Sequence, residues 1–308
     1  MICLKVIGGI HMTVIDAYRL FMQEQQFRGN SKYTIEYYKR SLKMFLDFCN
    51  SDMEICDIDV LLFKSYQLYI SNNLPINRIS VRTYTRAVKV FIRWLFFEGY
   101  IDLDINKLTL MKASKDIIVP LSDNEVTQLV NLYNNNNFMN CRNRTIVMLM
   151  IDCGLRLGEV VNLCLSDIDY TNNYLIINGK GSKQRLIPFG KTLSEQLGIY
   201  NSYRKKFDVS NNLFLNNKLQ PITHNAIKML FARIKKVPNL NRIYPHLLRH
   251  TFATNFIYDG GNLEVLRVLM GHSSINITQI YIHLAAQKHL LNDCYNSKLD
   301  NLLKQKTE

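Results

Sequence analysis

The sequence lacks any apolar run long enough to cross a membrane. A spanning helix needs about 18 or more consecutive apolar residues, and no segment of the 308 residues approaches that length. The first eleven residues are apolar, but they lack the charged start and the cleavage site of a signal peptide. We therefore expect a cytoplasmic protein without a membrane partner, translated from Met1 or from Met12.

Cysteine pairs and metal-ligand clusters are also missing. The seven cysteines lie scattered at positions 3, 49, 56, 141, 153, 164 and 294, without a Cys-x-x-Cys pair. That pattern argues against both a disulfide framework and a zinc site. No other group of His, Cys and acidic residues has metal-ligand spacing, so the sequence predicts no metal site.

Acidic residues are too few to balance the basic ones. The chain has 38 Lys and Arg against 25 Asp and Glu, which leaves a formal net charge of +13. Such a bias favours a polyanionic partner, and nucleic acid is the usual one, although a membrane surface would also serve. The length and the 47% hydrophobic content predict two domains, each with its own core.

The pattern from Val14 to about Leu110 is helical throughout. Ser31 is a plausible N-cap for a long amphipathic helix. The segment between Asn77 and Gly99 has an apolar stripe and, on another face, a row of cations at steps of three and four residues. These cations are Arg78, Arg82, Arg86, Lys89 and Arg93. Because no acid interrupts the row before Glu98, phosphate contact is favoured over simple solvation.

A second domain follows a break in periodicity at residues 111–119, which we interpret as a linker. Ser122 and Glu125 form a predicted capping box at its start. Helical patterns dominate afterwards, at 192–206, 223–236, 246–258 and 263–270. Two short strands, Tyr174–Asn178 and Arg185–Pro188, flank a Gly-rich hairpin turn. The predicted fold is mainly α, with a small antiparallel β-sheet in the second domain.

The segment from Pro245 to His283 carries the clearest chemistry. It places His246, Arg249, His272 and Tyr281 in one short region, with Gly271 expected to end a helix just before His272. A phosphodiester in transfer gains negative charge, so a site that attacks it needs cations or hydrogen-bond donors and a nucleophile. Taken singly, each residue has a structural explanation, as a solvated pair or a packed tyrosine. Together they indicate phosphoryl transfer.

This arrangement resembles the tyrosine recombinases, the phage integrase family. The family pattern is His-x-x-Arg, then Gly-His, then a nucleophilic Tyr nine positions later, and here 281 − 272 = 9. The stretch from Asp152 to Val160 is similar to the first family box. By that resemblance Arg156 is the second phosphate-binding guanidinium, and Glu159 orients the neighbourhood.

The family also carries a mobile lysine on a β-hairpin. By its position in Gly-Lys-Gly, Lys180 matches the general acid that protonates the leaving 5′ oxygen, with Lys183 as the competing candidate. A basic hairpin tip that contacts backbone phosphates would explain both lysines without catalysis. His250 and His283 flank the motif, and we expect them to be packing or supporting groups.

The resemblance implies a site-specific DNA recombinase. Residues 12–110 would be the helical core-binding domain, residues 120–308 the catalytic domain, and the two would clamp duplex DNA. Tyr281 would form a 3′-phosphotyrosyl link without ATP, metal or other cofactor. The protein would act as a tetramer on two DNA sites, with itself or a paralogous recombinase. A type IB topoisomerase and a catalytically silent DNA-binding relative remain as alternatives. The two-domain size favours a Xer-like or small mobile-element enzyme.

Overall fold

The computed structural model describes residues 12–50, 52–113, 118–179, 184–207 and 209–292. The chain divides into two compact units, Met1–Asp116 and Ile117–Glu308. Both are mainly helical, and the second contains a small antiparallel sheet, so the predicted fold class is confirmed. Within the described ranges, no helix is long and apolar enough to cross a membrane.

The first unit is a bundle of helices. They are α1 (Val14–Phe27), α2 (Lys32–Phe48), α3 (Val60–Asn73) and α4 (Arg78–Phe97). Each begins after a polar residue whose side chain accepts a hydrogen bond from a backbone N–H of the first turn. These residues are Thr13, Ser31, Asp59 and Asn77. The predicted N-cap at Ser31 is therefore confirmed.

Aromatic side chains fill the core of this unit. The ring of Phe21 packs edge-on against Tyr38, Phe91 and Trp94, with centroids 5.2 to 5.5 Å apart. The apolar stripe of α4 faces the same core, which leaves its cationic face on the outside. Each fully buried apolar side chain contributes about 1.5–3 kcal/mol, so burial of this stripe holds α4 in place.

The second unit is also mainly helical. Its helices are α5 (Asp123–Asn131), α6 (Phe138–Asp152), α7 (Leu157–Asn162), α8 (Lys191–Arg204), α9 (His224–Ile234), α10 (Pro245–Tyr258), α11 (Leu263–Met270), α12 (Ile275–Thr278) and α13 (Ile280–Asn292). The predicted capping box is present, because the Ser122 hydroxyl accepts from the Glu125 N–H and the Glu125 carboxylate accepts from the Ser122 N–H. The buried helix α6 packs against α5, α8 and α10 and organises the core.

The sheet has three antiparallel strands in the order β1 (Ile168–Asp169), β2 (Tyr174–Asn178) and β3 (Gln184–Pro188). Strands β2 and β3 are the two that the sequence predicts, and the short β1 is an addition. Leu175 and Ile177 of β2 pair with Ile187 and Arg185 of β3, and all four are buried. The sheet therefore directs one charged side chain, that of Arg185, into the protein.

Candidate active site

Arg156 lies where the chain leaves a left-handed turn and enters α7. The turn needs glycine at position 154, where φ is +60° and a Cβ would lie 2.4 Å from the ring of Phe252. The Arg156 N–H donates to Glu159 Oε2 at 2.7 Å, and its Nη1 donates to Glu159 Oε1 at 2.9 Å. The side chain remains 38% exposed, so its guanidinium is held in place and still accessible.

Arg249, on α10, is buried beside it. Its guanidinium donates to the carbonyl oxygens of Gly154 and Met270, and its side chain is 5% exposed. Burial lowers the pKa of Arg249 to about 10, with a further decrease from the charge of Arg156 and opposition from Glu159. The guanidinium is still cationic at neutral pH, so two fixed positive charges lie in one region of the second unit.

Glu159 is shared by three arginines. Its carboxylate lies 2.9 Å from Arg156 Nη1, 2.9 Å from Arg185 Nη2 and 3.9 Å from Arg249 Nη1. Burial alone would raise the pKa of Glu159, but the hydrogen bond and charge of Arg185, followed by Arg156, hold it below its ordinary value. The carboxylate is therefore ionised, and it orients the guanidinium groups while neutralising only one of the three.

Arg185 is the member of this group that our sequence interpretation missed. Its Nε donates to the carbonyl oxygen of Leu269 at 2.7 Å, in addition to its ion pair with Glu159. It connects β3 both to α7 and to the end of α11. The signal that could have revealed it is the period-2 alternation of a strand, which puts position 185 on the same inward face as Ile187.

Gly271 ends α11 in the left-handed conformation, with φ +59°, as the sequence predicts. A Cβ at this position would lie 3.2 Å from Arg185 Nη1 and 3.4 Å from Arg156 Nη1. The Gly271 carbonyl oxygen accepts from Arg156 Nη2 at 3.1 Å. The positive φ therefore favours glycine in this turn, and a larger residue would also have to displace the guanidinium group of Arg185 slightly.

His272 follows this turn and faces the arginines. Its Nε2 lies 3.4 Å from Arg249 Nη2, and its Nδ1 lies 2.9 Å from the hydroxyl of Thr278. Because a guanidinium can only donate, Nε2 accepts and Nδ1 carries the proton. Burial and the charges of Arg249 and Arg156 lower the pKa of His272 to about 4. The imidazole is therefore neutral near pH 7.

Tyr281, in the first turn of α13, is 3% exposed. Its ring is nearly parallel to that of His272, with centroids 6.4 Å apart. Its hydroxyl lies 3.1 Å from Nδ1 of His250, a residue that the sequence interpretation left as a packing or supporting group. Burial raises the pKa of Tyr281, and the charges of Arg249 and Arg156 oppose that increase.

His246 lies in the first turn of α10, where its side chain is exposed. Desolvation by the surrounding atoms lowers the pKa of His246, and the charges of Arg249 and Arg156 lower this pKa further. The ring of His246 therefore lies near both guanidinium groups. His283, which the sequence interpretation expects to be a packing or supporting group, is exposed. Lys180 and Lys183 fall outside the described residues.

The cationic face of α4 belongs to the first unit. Arg78, Arg86 and Arg93 are exposed, and Arg82 is partly buried. Lys89 donates to the carbonyl oxygen of Leu108 at 2.6 Å, so part of its hydrogen-bonding capacity is used within the protein. The row consists of four guanidinium groups and one ammonium group on a single helix, and the ammonium group already has one acceptor within the protein.

Among the residues that the structure describes, no three His, Cys, Asp or Glu side chains form a cluster suited to a metal ion. The positive charge at the site comes from guanidinium groups. Arg156, Arg185 and Arg249 supply three positive charges and Glu159 one negative charge, so the group carries a net charge of 3 − 1 = +2. A fixed cationic group of this kind can stabilise charge that develops on a phosphate.

Known proteins match the chain over both units. The sequence model described as "Phage integrase family" matches residues 121–288, and that of the "Phage integrase SAM-like domain" matches residues 13–110. Tyrosine recombinase XerC of Oceanobacillus iheyensis is 30% identical over 275 residues, which cover 86% of this chain and 90% of the relative. Tyrosine recombinase XerD of Staphylococcus haemolyticus is 30% identical over 295 residues, or 92% and 97% of the two chains.

Solved structures share the fold. The crystal structure of the site-specific recombinase XerH, bound to a palindromic difH substrate, matches with a TM-score of 0.70 at 21% identity. The match covers 88% of this chain and 82% of that one. The family model spans more than half of the sequence, and the relatives span nearly all of it. The chain therefore belongs to the phage integrase family, the tyrosine recombinases.

Proposed function

We propose that this protein is a site-specific DNA recombinase that cleaves and rejoins DNA through a covalent 3′-phosphotyrosyl intermediate. The observation that carries the proposal is the arrangement of Tyr281 and His272, with stacked rings, beside two guanidinium groups that share Glu159. This arrangement supplies a nucleophile, hydrogen-bonding imidazoles and fixed positive charge. Nucleophilic attack on a phosphodiester requires these groups.

In this mechanism Arg156 and Arg249 bind the non-bridging oxygens of the scissile phosphate, and Tyr281 attacks the phosphorus. Glu159 supports both arginines. His246 and His272 assist by hydrogen bonding or proton transfer, and Lys180 is the general acid. The bond energy is kept in the phosphotyrosyl ester, so a 5′-hydroxyl of a partner strand can reverse the reaction without ATP.

His272 can reach its proposed role through a change of tautomer. Before DNA binds, its Nε2 accepts from Arg249, and a ring nitrogen without a proton cannot donate to a phosphate. If Arg249 turns its donors toward a bound phosphate, the proton can move to Nε2 and Nδ1 can accept from Thr278. The Thr278 hydroxyl serves both tautomers, because a hydroxyl donates as well as accepts.

Duplex DNA is the proposed substrate. The cationic face of α4 in the core-binding domain would contact backbone phosphates, and Lys183 would do so from the catalytic domain. Such contacts carry little sequence information and mainly fix the register of the protein on the duplex.

A tetramer on two DNA sites is the proposed active form. Six apolar side chains on α11, α12 and α13 are 38% to 51% exposed, and apolar side chains of this kind could be covered by a neighbouring subunit. They are Val265, Val268, Ile275, Ile277, Ile280 and Ile282. The partner would be a second copy or a paralogous recombinase, and a Xer-like or mobile-element role agrees with the XerC and XerD relatives.

The comparisons lend no support to the two alternatives, a type IB topoisomerase and a silent DNA-binding relative. The retained nucleophile and arginines also disfavour a silent protein. A topoisomerase and a recombinase share their cleavage chemistry, so the products of the reaction distinguish them.

A recombination assay tests the proposal. Covalent adducts trapped on fragmented DNA from the host would first be sequenced to locate the cleavage site, and two copies of that site would then be placed in one plasmid. We expect a deletion product of defined length. Relaxed topoisomers without a deletion product would indicate a topoisomerase, and a mobility shift without any adduct would indicate a silent relative.

Cleavage is expected to survive chelation, because Arg156 and Arg249 supply fixed positive charge at the proposed site. Adduct yield should be unchanged in EDTA. Binding should weaken with salt, with a slope of log K against log salt of about −0.9 for each phosphate that is neutralised. Loss of cleavage in EDTA that magnesium restores would contradict this mechanism and indicate a nuclease-like one.

A further inference from the structure

The hydroxyl of Tyr281 has a direct partner that the proposed mechanism does not yet use. His250 Nδ1 lies 3.1 Å from Tyr281 Oη, and the two ring centroids are 5.7 Å apart. His250 is partly buried on α10, directly after Arg249. Tyr281 packs in a small apolar cluster with Ala253, Leu266 and other residues, so its ring is held in one place.

We propose that His250 positions the hydroxyl of Tyr281 and accepts its proton when the tyrosine attacks the phosphate. The inference rests on the proposed function, because it requires Tyr281 to be the nucleophile. It assigns the proton of Tyr281 to His250, whereas the proposed mechanism leaves proton transfer to His246 or His272.

Tyr281 needs such a base. Its burial raises the pKa of the phenol, so the neutral hydroxyl predominates near pH 7, and a neutral phenol is a weak nucleophile. The charges of Arg249 and Arg156 oppose this increase without overcoming it. A neighbouring group that removes the proton during attack would offset the cost of ionising the phenol.

His272 is a poorer candidate for this role. Its ring stacks on the ring of Tyr281, and its two nitrogens face Thr278 and Arg249. His246 is exposed, and the hydroxyl of Tyr281 is directed toward His250. Of the three imidazoles, His250 has the nitrogen within hydrogen-bond distance of the reacting oxygen, which is the geometry that a general base requires.

The environment of His250 also favours a base. Its pKa is lowered first by burial and then by His246 and Arg249 on the same helix, while Tyr281 and His272 face it from the chain that follows α11. The imidazole is therefore neutral near pH 7. In the tautomer with the proton on Nε2, its Nδ1 accepts from the phenol and is free to take the proton.

The proposed step is balanced in both directions. The Tyr281 proton moves to His250 Nδ1 while Oη forms a bond to phosphorus and the bond from phosphorus to the 5′ oxygen breaks. The 5′ oxygen leaves with the electron pair and takes a proton from the general acid. On rejoining, a 5′-hydroxyl attacks the phosphorus and gives its proton to the deprotonated general acid, while Oη leaves and takes its own proton back from His250.

His250→Asn separates proton transfer from positioning. An Asn side-chain oxygen can accept the tyrosine hydrogen bond close to the position of Nδ1, but the amide does not take up a proton. The measurement is the rate of adduct formation on a nicked DNA substrate that traps the covalent intermediate. We expect His250→Asn to lose roughly 10²-fold or more, because it keeps the hydrogen bond but not the proton transfer, and His250→Ala to lose at least as much, with DNA binding unchanged in both. An Asn variant as fast as the parent protein would overturn the proposal.

A more acidic nucleophile supplies the second readout. A fluorinated tyrosine incorporated at position 281 alone ionises more readily, so it depends less on a base. Its rate relative to ordinary Tyr281 should be much higher in His250→Ala than in the parent protein. An equal effect in both backgrounds would mean that His250 only supports the fold, and would also overturn the proposal.

His283→Ala is the matched control, because His283 lies on α13 close to Tyr281 in the sequence but is exposed. The His283→Ala variant should cleave DNA at the parental rate. Adduct formation by the parent protein distinguishes failure of the proposed function from failure of the role proposed for His250. If it forms no adduct, the proposed function fails. If it forms an adduct and the His250 variants are as fast, the role of His250 alone fails.

Discussion

Tyr281→Phe should form no covalent adduct with DNA. The substitution removes only the hydroxyl, and loss of a catalytic nucleophile costs on the order of 10⁶-fold, which in a denaturing gel is no adduct at all. DNA binding should remain, because the ring still fills the cluster with Leu284 and Met270. Loss of the hydrogen bond to His250 should lower the free energy of unfolding by only about 0.5–1.5 kcal/mol.

The control for this prediction is another tyrosine of the catalytic domain. Tyr258→Phe alters a side chain that stacks on His289 at the end of α10, away from the hydroxyl of Tyr281, and should leave adduct formation intact. Both variants should shift DNA in a native gel. If the adduct persisted in Tyr281→Phe and disappeared in Tyr258→Phe, the nucleophile would be Tyr258, and our assignment of Tyr281 would be wrong.

The sequence predicts the fold largely through periodicity. Predicted helical patterns such as 246–258 and 263–270 agree with α10 and α11 to within one residue at each end, because apolar spacing and capping residues are local signals. The strand β1 was not predicted. It has two residues and exists only because Ile168 and Asp169 pair with β2, which is a contact that a local pattern does not contain.

The candidate site was predicted as a set of residues, while its contacts were not. Resemblance to the family motifs identifies Arg156, His272 and Tyr281, because the residue types and their spacing along the chain match. Arg185 and His250 are different, since their roles arise from contacts across elements: β3 with α7 in one case and α10 with α13 in the other. No local pattern near either residue shows what it will contact.

Thr278 and Lys89 illustrate the same limit. Thr278 is fully buried, and its hydroxyl makes a hydrogen bond with Nδ1 of His272 six positions earlier, which nothing in its own neighbourhood of the sequence indicates. Lys89 has the helical spacing of a phosphate-binding residue, yet its ammonium group donates to Leu108. Spacing predicts which face of α4 a side chain lies on, but not which acceptor it finds there.

Lys180→Ala should cleave ordinary DNA slowly and recover much of its rate when the bridging 5′ oxygen is replaced by sulfur. An alkoxide is a poor leaving group, so a positioned general acid contributes roughly 10²–10⁴-fold. A thiolate leaves without a proton, so the sulfur substrate no longer needs the acid. The measurement is the rate of adduct formation on matched oxygen and sulfur substrates.

Arg156→Ala is the control that makes this rescue specific. Its guanidinium is held by Glu159 and the Gly271 carbonyl, and it is proposed to stabilise charge on the non-bridging oxygens, which the sulfur substitution leaves unchanged. The arginine variant should therefore remain slow on both substrates. If sulfur rescued both variants equally, the substitution would be relieving a general defect in cleavage, and Lys180 would have no special role as the acid.

Lys183→Ala decides between the two lysines of the hairpin. If Lys183 only contacts backbone phosphates, its loss should weaken DNA binding and make that binding less sensitive to salt, while the ratio of sulfur to oxygen rates stays parental. The opposite result would be rescue of Lys183→Ala together with nearly normal rates for Lys180→Ala on both substrates. In that case the resemblance has been aligned incorrectly in this turn, and the acid lies three residues further along the chain.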